Sequence, residues 1–452
     1  MTIVARAPRR HAATARSLAR LGIATLALAS STIAMAAAPL SSFPGARGYG
    51  RVAQGGRGGR IIAVTTLADA GPGSLRACID ALGPRVCVFR VAGVIRYTTL
   101  RPVVRNPFLT IAGETAPGEG ILLTHAGGRD ALTPLVIKDT HDVVVRDLRV
   151  RLDRRGQVRG SNSAVTIENS RRVMLDHIST SWSLDENVGL QGQNDQISIT
   201  HSILAEGVPD HSKCALLSSD PAGPQRLSFI GNLCISNGDR NPNVNFRPGS
   251  CVEVINNILY NAKVEFAEIW ESQGGTPVSI VGNYFRAGPN TSVAAHALVR
   301  QTIGSKGMSR VYARDNVFDG VTPSTHDFAA LLVDRPPCPL TMRPGTGAQA
   351  YSSVLGDAGA RPRDAVYRRL LTEVRQRGGH IVKDVGRLPP LATAPAYLDS
   401  DGDGMADEWE RRHGLDPRAD DAWKRAAGSQ WTNLDLFLGY AHAQRAAGKP
   451  IR

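Results

Sequence analysis

The sequence predicts an all-β fold: a right-handed, single-stranded parallel β-helix (a solenoid) with a small C-terminal helical and calcium-loop extension. Three observations predict it. Short segments that alternate apolar and polar residues recur at intervals of roughly 24 to 33 residues. Four of those segments place an asparagine at the same offset: Asn232, Asn257, Asn283 and Asn316. Only 5% of the residues are aromatic, and 46 glycines and 27 prolines argue against a helical bundle.

Residues 1–36 read as an export signal. Arg6, Arg9, Arg10, Arg16 and Arg20, with no acidic residue among them, lead into the apolar run Leu21–Ala36, and Ala34-Met35-Ala36 fits a cleavage site. The run holds several Ser and Thr and is followed by Pro39, which does not suit a spanning helix. Arg9-Arg10 hints at twin-arginine export, but the residues after it fit poorly, and the ordinary secretory route is expected. Removing the five arginines lowers the formal net charge of +13 to +8. A basic exported chain suits a polyanion. Outside the cytoplasm that partner is an acidic polysaccharide rather than nucleic acid. The mature chain is expected to be a secreted monomer, extracellular or periplasmic, with no membrane partner. Six cysteines are free to pair in that setting. Cys78 and Cys87 bracket a short segment and are expected to bond to each other. Cys214, Cys234, Cys251 and Cys338 leave several connectivities open, and their spacing does not suit zinc.

Residues 37–330 form the predicted solenoid. Its copies begin at Val143, Val173, Ile197, Leu227, Val252, Val278 and Val311. Asparagines stacked at one turn can hydrogen-bond the coils above and below, which an antiparallel sandwich would not arrange so regularly. Residues 331–395 lose the repeat and carry a helix expected near Pro362–Arg377, then the proline-rich linker Leu388–Pro395. Residues 396–452 open on Asp399-Ser-Asp-Gly-Asp-Gly-Met-Ala-Asp-Glu-Trp-Glu410. Asp399, Asp401, Asp403, Asp407 and Glu410 occupy loop positions one, three, five, nine and twelve of a calcium loop, with Gly404 at six and the Met405 carbonyl at seven. No helix is expected before the loop, so it reads as a structural calcium staple rather than a sensor.

In the copy beginning at Val173, alternation points Val173 and Leu175 inward and Asp176 outward. Asp185 follows Val173 by twelve residues, Lys213 follows Ile197 by sixteen, and Arg240 follows Leu227 by thirteen. With stacked strands about 4.8 Å apart, the three fall into one row on one side of the solenoid. Charged residues on an outer face are ordinarily just solvated. A row mixing carboxylate, ammonium and guanidinium is unusual for a structural face.

From about Phe43 to Tyr260, and more loosely to Gly379, the chain resembles the pectate lyases of polysaccharide lyase family one. The resemblance rests on Phe43-Pro-Gly-Ala-Arg-Gly-Tyr-Gly, Gly71-Pro-Gly-Ser-Leu-Arg, Thr110-Ile-Ala-Gly-Glu-Thr-Ala-Pro-Gly, Leu175-Asp-His, Asp210-His-Ser-Lys213 and Arg240-Asn-Pro, in that order. It implies calcium-assisted β-elimination on (1→4)-α-D-galacturonan. Asp176 and Asp185 would be ligands of a catalytic calcium, Lys213 would hold the substrate carboxylate, and Arg240 would take the C5 proton. Taken on spacing alone, Arg240 would be a charge stabiliser, since guanidinium is ordinarily protonated. An alkaline optimum follows from the arginine base.

Two positions depart from the family pattern. Gly189 stands where a further aspartate is usual, and Glu186 is expected to compensate or substrate to complete the calcium shell. Asn245 replaces a second arginine, whose substrate contact is assigned to Arg247. His177 and His211 read as supports of their neighbours, and Asn257 as part of the ladder. A polygalacturonate hydrolase would need paired acids around a water, which this row lacks. A lyase for neutral methylated pectin would not need calcium. A non-catalytic pectin-binding β-helix, or a lyase for another acidic polysaccharide, is the remaining alternative.

Overall fold

A computed structural model describes residues 40–125, 133–153, 162–209 and 211–452. Period-2 alternation puts every second residue of each strand inside, and the register stacks those residues coil upon coil. Val143, Val173, Ile197, Leu227, Val252, Val278 and Val311 are successive register partners in one continuous column. Val145, Leu175, Ile199, Phe229, Val254 and Ile280 form the next. Among the described residues the chain visits three parallel sheets in turn, of ten, nine and nine strands, so each coil is a three-sided rung of a parallel β-helix of about nine turns. The columns meet in a single apolar core running the length of the solenoid.

The asparagines form a ladder at the turn between the first and second sheets. Asn232 N donates to Asn257 Oδ1 at 2.8 Å, Asn257 N to Asn283 Oδ1 at 2.9 Å, and Asn283 N to Asn316 Oδ1 at 2.9 Å. Each side-chain amide also donates to a strand carbonyl of the coil before, Asn257 Nδ2 to Phe229 O at 2.9 Å for example. These contacts satisfy turn amides that would otherwise be buried without partners. Asn257→Ala leaves the Asn232 amide and the Phe229 carbonyl unpaired in the interior, a cost of about 2–5 kcal/mol. The urea midpoint is expected to fall accordingly, and an unchanged midpoint would show that the ladder does not hold the coils together.

Glycines in the N-terminal segment let backbone lie directly on the first sheet. Gly50 N donates to Ser198 Oγ at 2.7 Å, and a Cβ at Gly50 would sit 2.3 Å from the Val173 carbonyl. Cys78 pairs with Cys87 as expected, and the four remaining cysteines pair as Cys214–Cys234 and Cys251–Cys338.

Beyond the last coil, helices Gly347–Asp357 and Ala365–Gln376 pack on the outer face of the second sheet, against Ile203, Leu233, Ile235, Ile258 and Tyr260. The second helix starts inside the expected range, because Asp364 caps it by accepting from Tyr367 N, and it ends as Arg377 turns left-handed. Helix Asn433–Ala446 and residues 397–422 cover the outer face of the first sheet, over Val86, Val88 and Ala112. Among the described residues no such apolar cluster covers the third sheet, and the predicted row lies along that sheet.

Candidate active site

The third sheet orders the row through backbone register. Strand Glu186–Gln191 pairs with strand Lys213–Ser219 so that Glu186 stands beside Lys213, and Lys213 in turn bridges Asp239. Asp185 and Arg240 flank this line by one residue each. Arg240 adopts a left-handed backbone with φ of 50°, a conformation unusual for a long side chain and one that surrounding contacts must hold. Its N–H donates to Glu268 Oε1 at 2.7 Å, and its carbonyl accepts from Ala215 N at 3.0 Å.

The charges of the row interlock. Arg240 Nη1 pairs with Glu186 Oε1. His211 bridges two neighbours, with Nδ1 3.3 Å from Asp185 Oδ1 and 3.3 Å from Lys213 Nζ. Burial pushes the Glu186 carboxyl up to about 7, adjacent Asp185 adds to the rise, and Arg240 opposes it. Asp239 is also raised by burial, with Lys213 and Arg240 pulling the other way. Glu268 reaches about 7, first through burial; the Trp270 indole N–H, which donates to it at 2.9 Å, holds it back.

Gly189 has a structural counterpart. A Cβ there would press on Ser163 Oγ at 3.0 Å and only touch Glu186 Oε2 at 3.5 Å, so the Glu186 carboxylate lies next to the place of a side chain at position 189. Asn245 donates to Ser272 Oγ at 2.9 Å. Arg247 is exposed and donates through Nε to the Pro221 carbonyl at 2.7 Å. It stands near the far end of that coil's third-sheet segment, and the structure does not bring it into the row.

Asp176 does not join the row. It ends strand Arg171–Asp176 of the first sheet, at the turn into the second, whereas Asp185 lies at the turn into the third. Rather than pointing into solvent it is 2% exposed, because C-terminal segments cover this corner. Both its oxygens are engaged: Oδ1 with Thr200 Oγ1 at 2.6 Å and His201 Nδ1 at 3.0 Å, Oδ2 with His177 Nδ1 at 2.8 Å and Arg146 Nε at 3.4 Å. Asp176 and Asp185, expected to share one calcium, thus stand at different corners of the coil, and Asp185 has Glu186 as its sequence neighbour in the row. Asp239 and Glu268 went unnoticed in the sequence. Asp239 adjoins Arg240, which was a usable signal, but Glu268 comes from the next coil and only the register places it.

The C-terminal loop gathers Asp399, Asp401 and Asp403, and a second group joins Asp403, Glu410 and Asp421. Both Glu410 oxygens, and Asp401 Oδ2, are buried without a hydrogen-bond partner. Burial, then the crowding of Asp403, Asp401, Asp407 and Asp421, raises Glu410 to about 8. Such unpaired buried oxygens are what a cation would satisfy. Asp407 turns away, accepting from Ser400 N at 2.8 Å and pairing with Arg411 at 3.0 Å. Position nine of such loops often binds through water. Asp421, outside the twelve-residue loop, takes a place the sequence did not suggest.

No family model matches the chain. A probable pectate lyase C of Aspergillus fumigatus is 33% identical over 436 residues, covering 92% of this chain and 97% of the fungal one. Its counterpart in Aspergillus terreus is 34% identical over 434 residues, with 92% and 97% covered. Among solved structures, jun a 1, the major allergen from cedar pollen, matches with a TM-score of 0.54 at 18% identity, over 70% of this chain and 92% of that one. A pectate lyase from Bacillus sp. N165 in complex with trigalacturonate matches with a TM-score of 0.50 at 18% identity, over 70% and 99%. At that identity the structural likeness shows the parallel β-helix alone.

Proposed function

The chain belongs to the pectate lyase family, and from that premise we propose that the third-sheet row cleaves (1→4)-α-D-galacturonan by calcium-assisted β-elimination, giving 4,5-unsaturated oligogalacturonides. The observation that carries the assignment is the register that sets Glu186, Lys213 and Asp239 side by side, with Arg240 anchored at their edge. Elimination removes the proton on C5 of a galacturonate, beside its carboxylate, and expels the oxygen on C4. Positive charge must therefore meet the acid group as negative charge develops there.

Lys213 is 7% exposed, its ammonium held beside His211, so it offers a largely desolvated cation to the substrate carboxylate. Arg240 keeps part of its guanidinium in solvent while Glu186 fixes one of its nitrogens; once a remaining nitrogen has released a proton to solvent, its lone pair can accept the C5 proton. Asp185 and Glu186 would hold a calcium ion. They fit one: two neighbouring carboxylates in like-charge conflict, one of them raised to about 7. When bound, calcium supplies Lewis-acid stabilisation of the uronate carboxylate.

Asp399, Asp401, Asp403, the Met405 carbonyl and Glu410 would hold a second calcium, with Asp421 close enough to join from outside the loop. Such an ion would fix the C-terminal segment over the first sheet. Secretion accords with a wall polymer as substrate, with three disulfides, and with the N-terminal 36 residues, which lie outside the described residues. Among the described residues no helix is long and apolar enough to cross a membrane.

The test is ultraviolet absorbance of unsaturated uronides from polygalacturonate, with calcium and with excess chelator. Calcium-dependent absorbance is expected, rising through about pH 7 as Glu268 ionises and secures the Arg240 amide. Glu410→Gln separates the two calcium sites, since it should lower thermal stability yet keep the calcium requirement of turnover. New reducing ends without absorbance would indicate hydrolysis, and binding without either product would indicate a pectin-binding protein.

A further inference from the structure

Away from the row, at the turn between the first and second sheets, three residues distant in sequence converge. His177 comes from the turn itself, Asp357 ends helix Gly347–Asp357, and His442 lies in helix Asn433–Ala446. One ligating atom from each lies within 4.8 Å of the other two. His177 Nε2 stands 3.3 Å from Asp357 Oδ1, buried and without a hydrogen-bond partner. The His177 and His442 rings meet edge-on, with centroids 4.4 Å apart.

The opposite nitrogen of each ring is already committed. His177 Nδ1 is 2.8 Å from Asp176 Oδ2, and His442 Nδ1 is 2.7 Å from Asp147 Oδ2. Both carboxylates are buried, Asp176 at 2% and Asp147 at 0% exposure. A carboxylate on Nδ1 fixes the tautomer that leaves the Nε2 lone pair free, and it strengthens that nitrogen as a donor. Two imidazoles, each backed by an acid, and one carboxylate make a ligand set for a divalent transition ion, with a fourth position left for water. Calcium, which takes oxygen ligands, does not suit it. Asp357 is half exposed, so an ion has a way in from solvent.

We propose that His177, Asp357 and His442 form a binding site for zinc or a similar divalent transition ion, which staples two C-terminal helices to the solenoid. The two helices cover different sheets, and the ion would tie both to the turn they share. A proton is the competing occupant, with His177 as an imidazolium bridging Asp176 and Asp357.

The full untagged chain, stripped with chelator and dialysed against zinc, is expected to retain one more zinc per chain than either His442→Gln or Asp357→Asn. Zinc should raise the melting temperature of the parent by several degrees and leave both variants unmoved. Glu410→Gln should keep the zinc, which separates this site from the calcium loop. Asp357, at an exposed helix end, keeps the test open if His442→Gln fails to fold. Equal zinc in the parent and both variants, no uptake by the parent, or loss of the zinc with Glu410→Gln would each overturn the proposal.

Discussion

Arg240→Ala is expected to lower kcat on polygalacturonate by about 10³-fold, within the range for loss of a proton-transferring group, while KM changes by a few fold at most. The variant also strips Glu186 of its ion-pair partner, so a second substitution is needed to tell proton transfer from neutralisation. Arg240→Lys restores the positive charge beside Glu186 but not the planar fork. If Arg240 only neutralised Glu186, the lysine variant would keep a large part of parental turnover. If a guanidinium nitrogen must reach C5 while another stays with Glu186, the lysine variant should be nearly as slow as the alanine variant. Retention of more than a tenth of parental kcat in Arg240→Lys would move the base to another group. A pectin-binding protein without catalysis would show no turnover to lose, and its affinity should survive either change.

The sequence carried the architecture because the architecture is periodic. Each coil repeats one inward alternation and one turn, so Val173, Ile197, Leu227 and the asparagines could be aligned by eye, and their register follows that alignment. Lys213 and Arg240 were placed in one row for the same reason. Periodicity does not say which of three corners a turn residue occupies. Asp176 and Asp185 are nine residues apart in sequence, and the resemblance put both at one calcium. The coil turns a corner between them at strand Ser179–Ser181. Nor does alternation reveal what later chain covers: Asp176 points out of the solenoid, yet segments near Asp357 and His442 close over its corner. Glu268, Asp421 and His442 were illegible on the same ground, since each acts through a contact made only by folding. The clustering of Asp399, Asp401 and Asp403 was legible because the three are close in sequence.

Asp176→Asn puts that difference between sequence and structure to a decisive measurement. The carboxylate faces donors from Thr200, His177, His201 and Arg146, and Arg146 is itself buried between Asp176 and Glu114. An amide of the same shape presents N–H groups to some of those donors and leaves buried cations undercompensated, which costs about 3–5 kcal/mol when one partner of a buried pair is removed. The urea midpoint is therefore expected to fall markedly. Folded Asp176→Asn should retain parental kcat and the parental calcium concentration for half-maximal turnover, because its nearest neighbours belong to the first-sheet corner and not to the row. The opposite pattern, an unchanged midpoint with a tenfold or greater rise in the calcium required, would return Asp176 to the catalytic ion and remove Glu186 from it. Asp185→Asn completes the comparison: it should raise the calcium requirement and leave the midpoint nearly unmoved, since the side chain it meets from the next coil, His211, is half exposed.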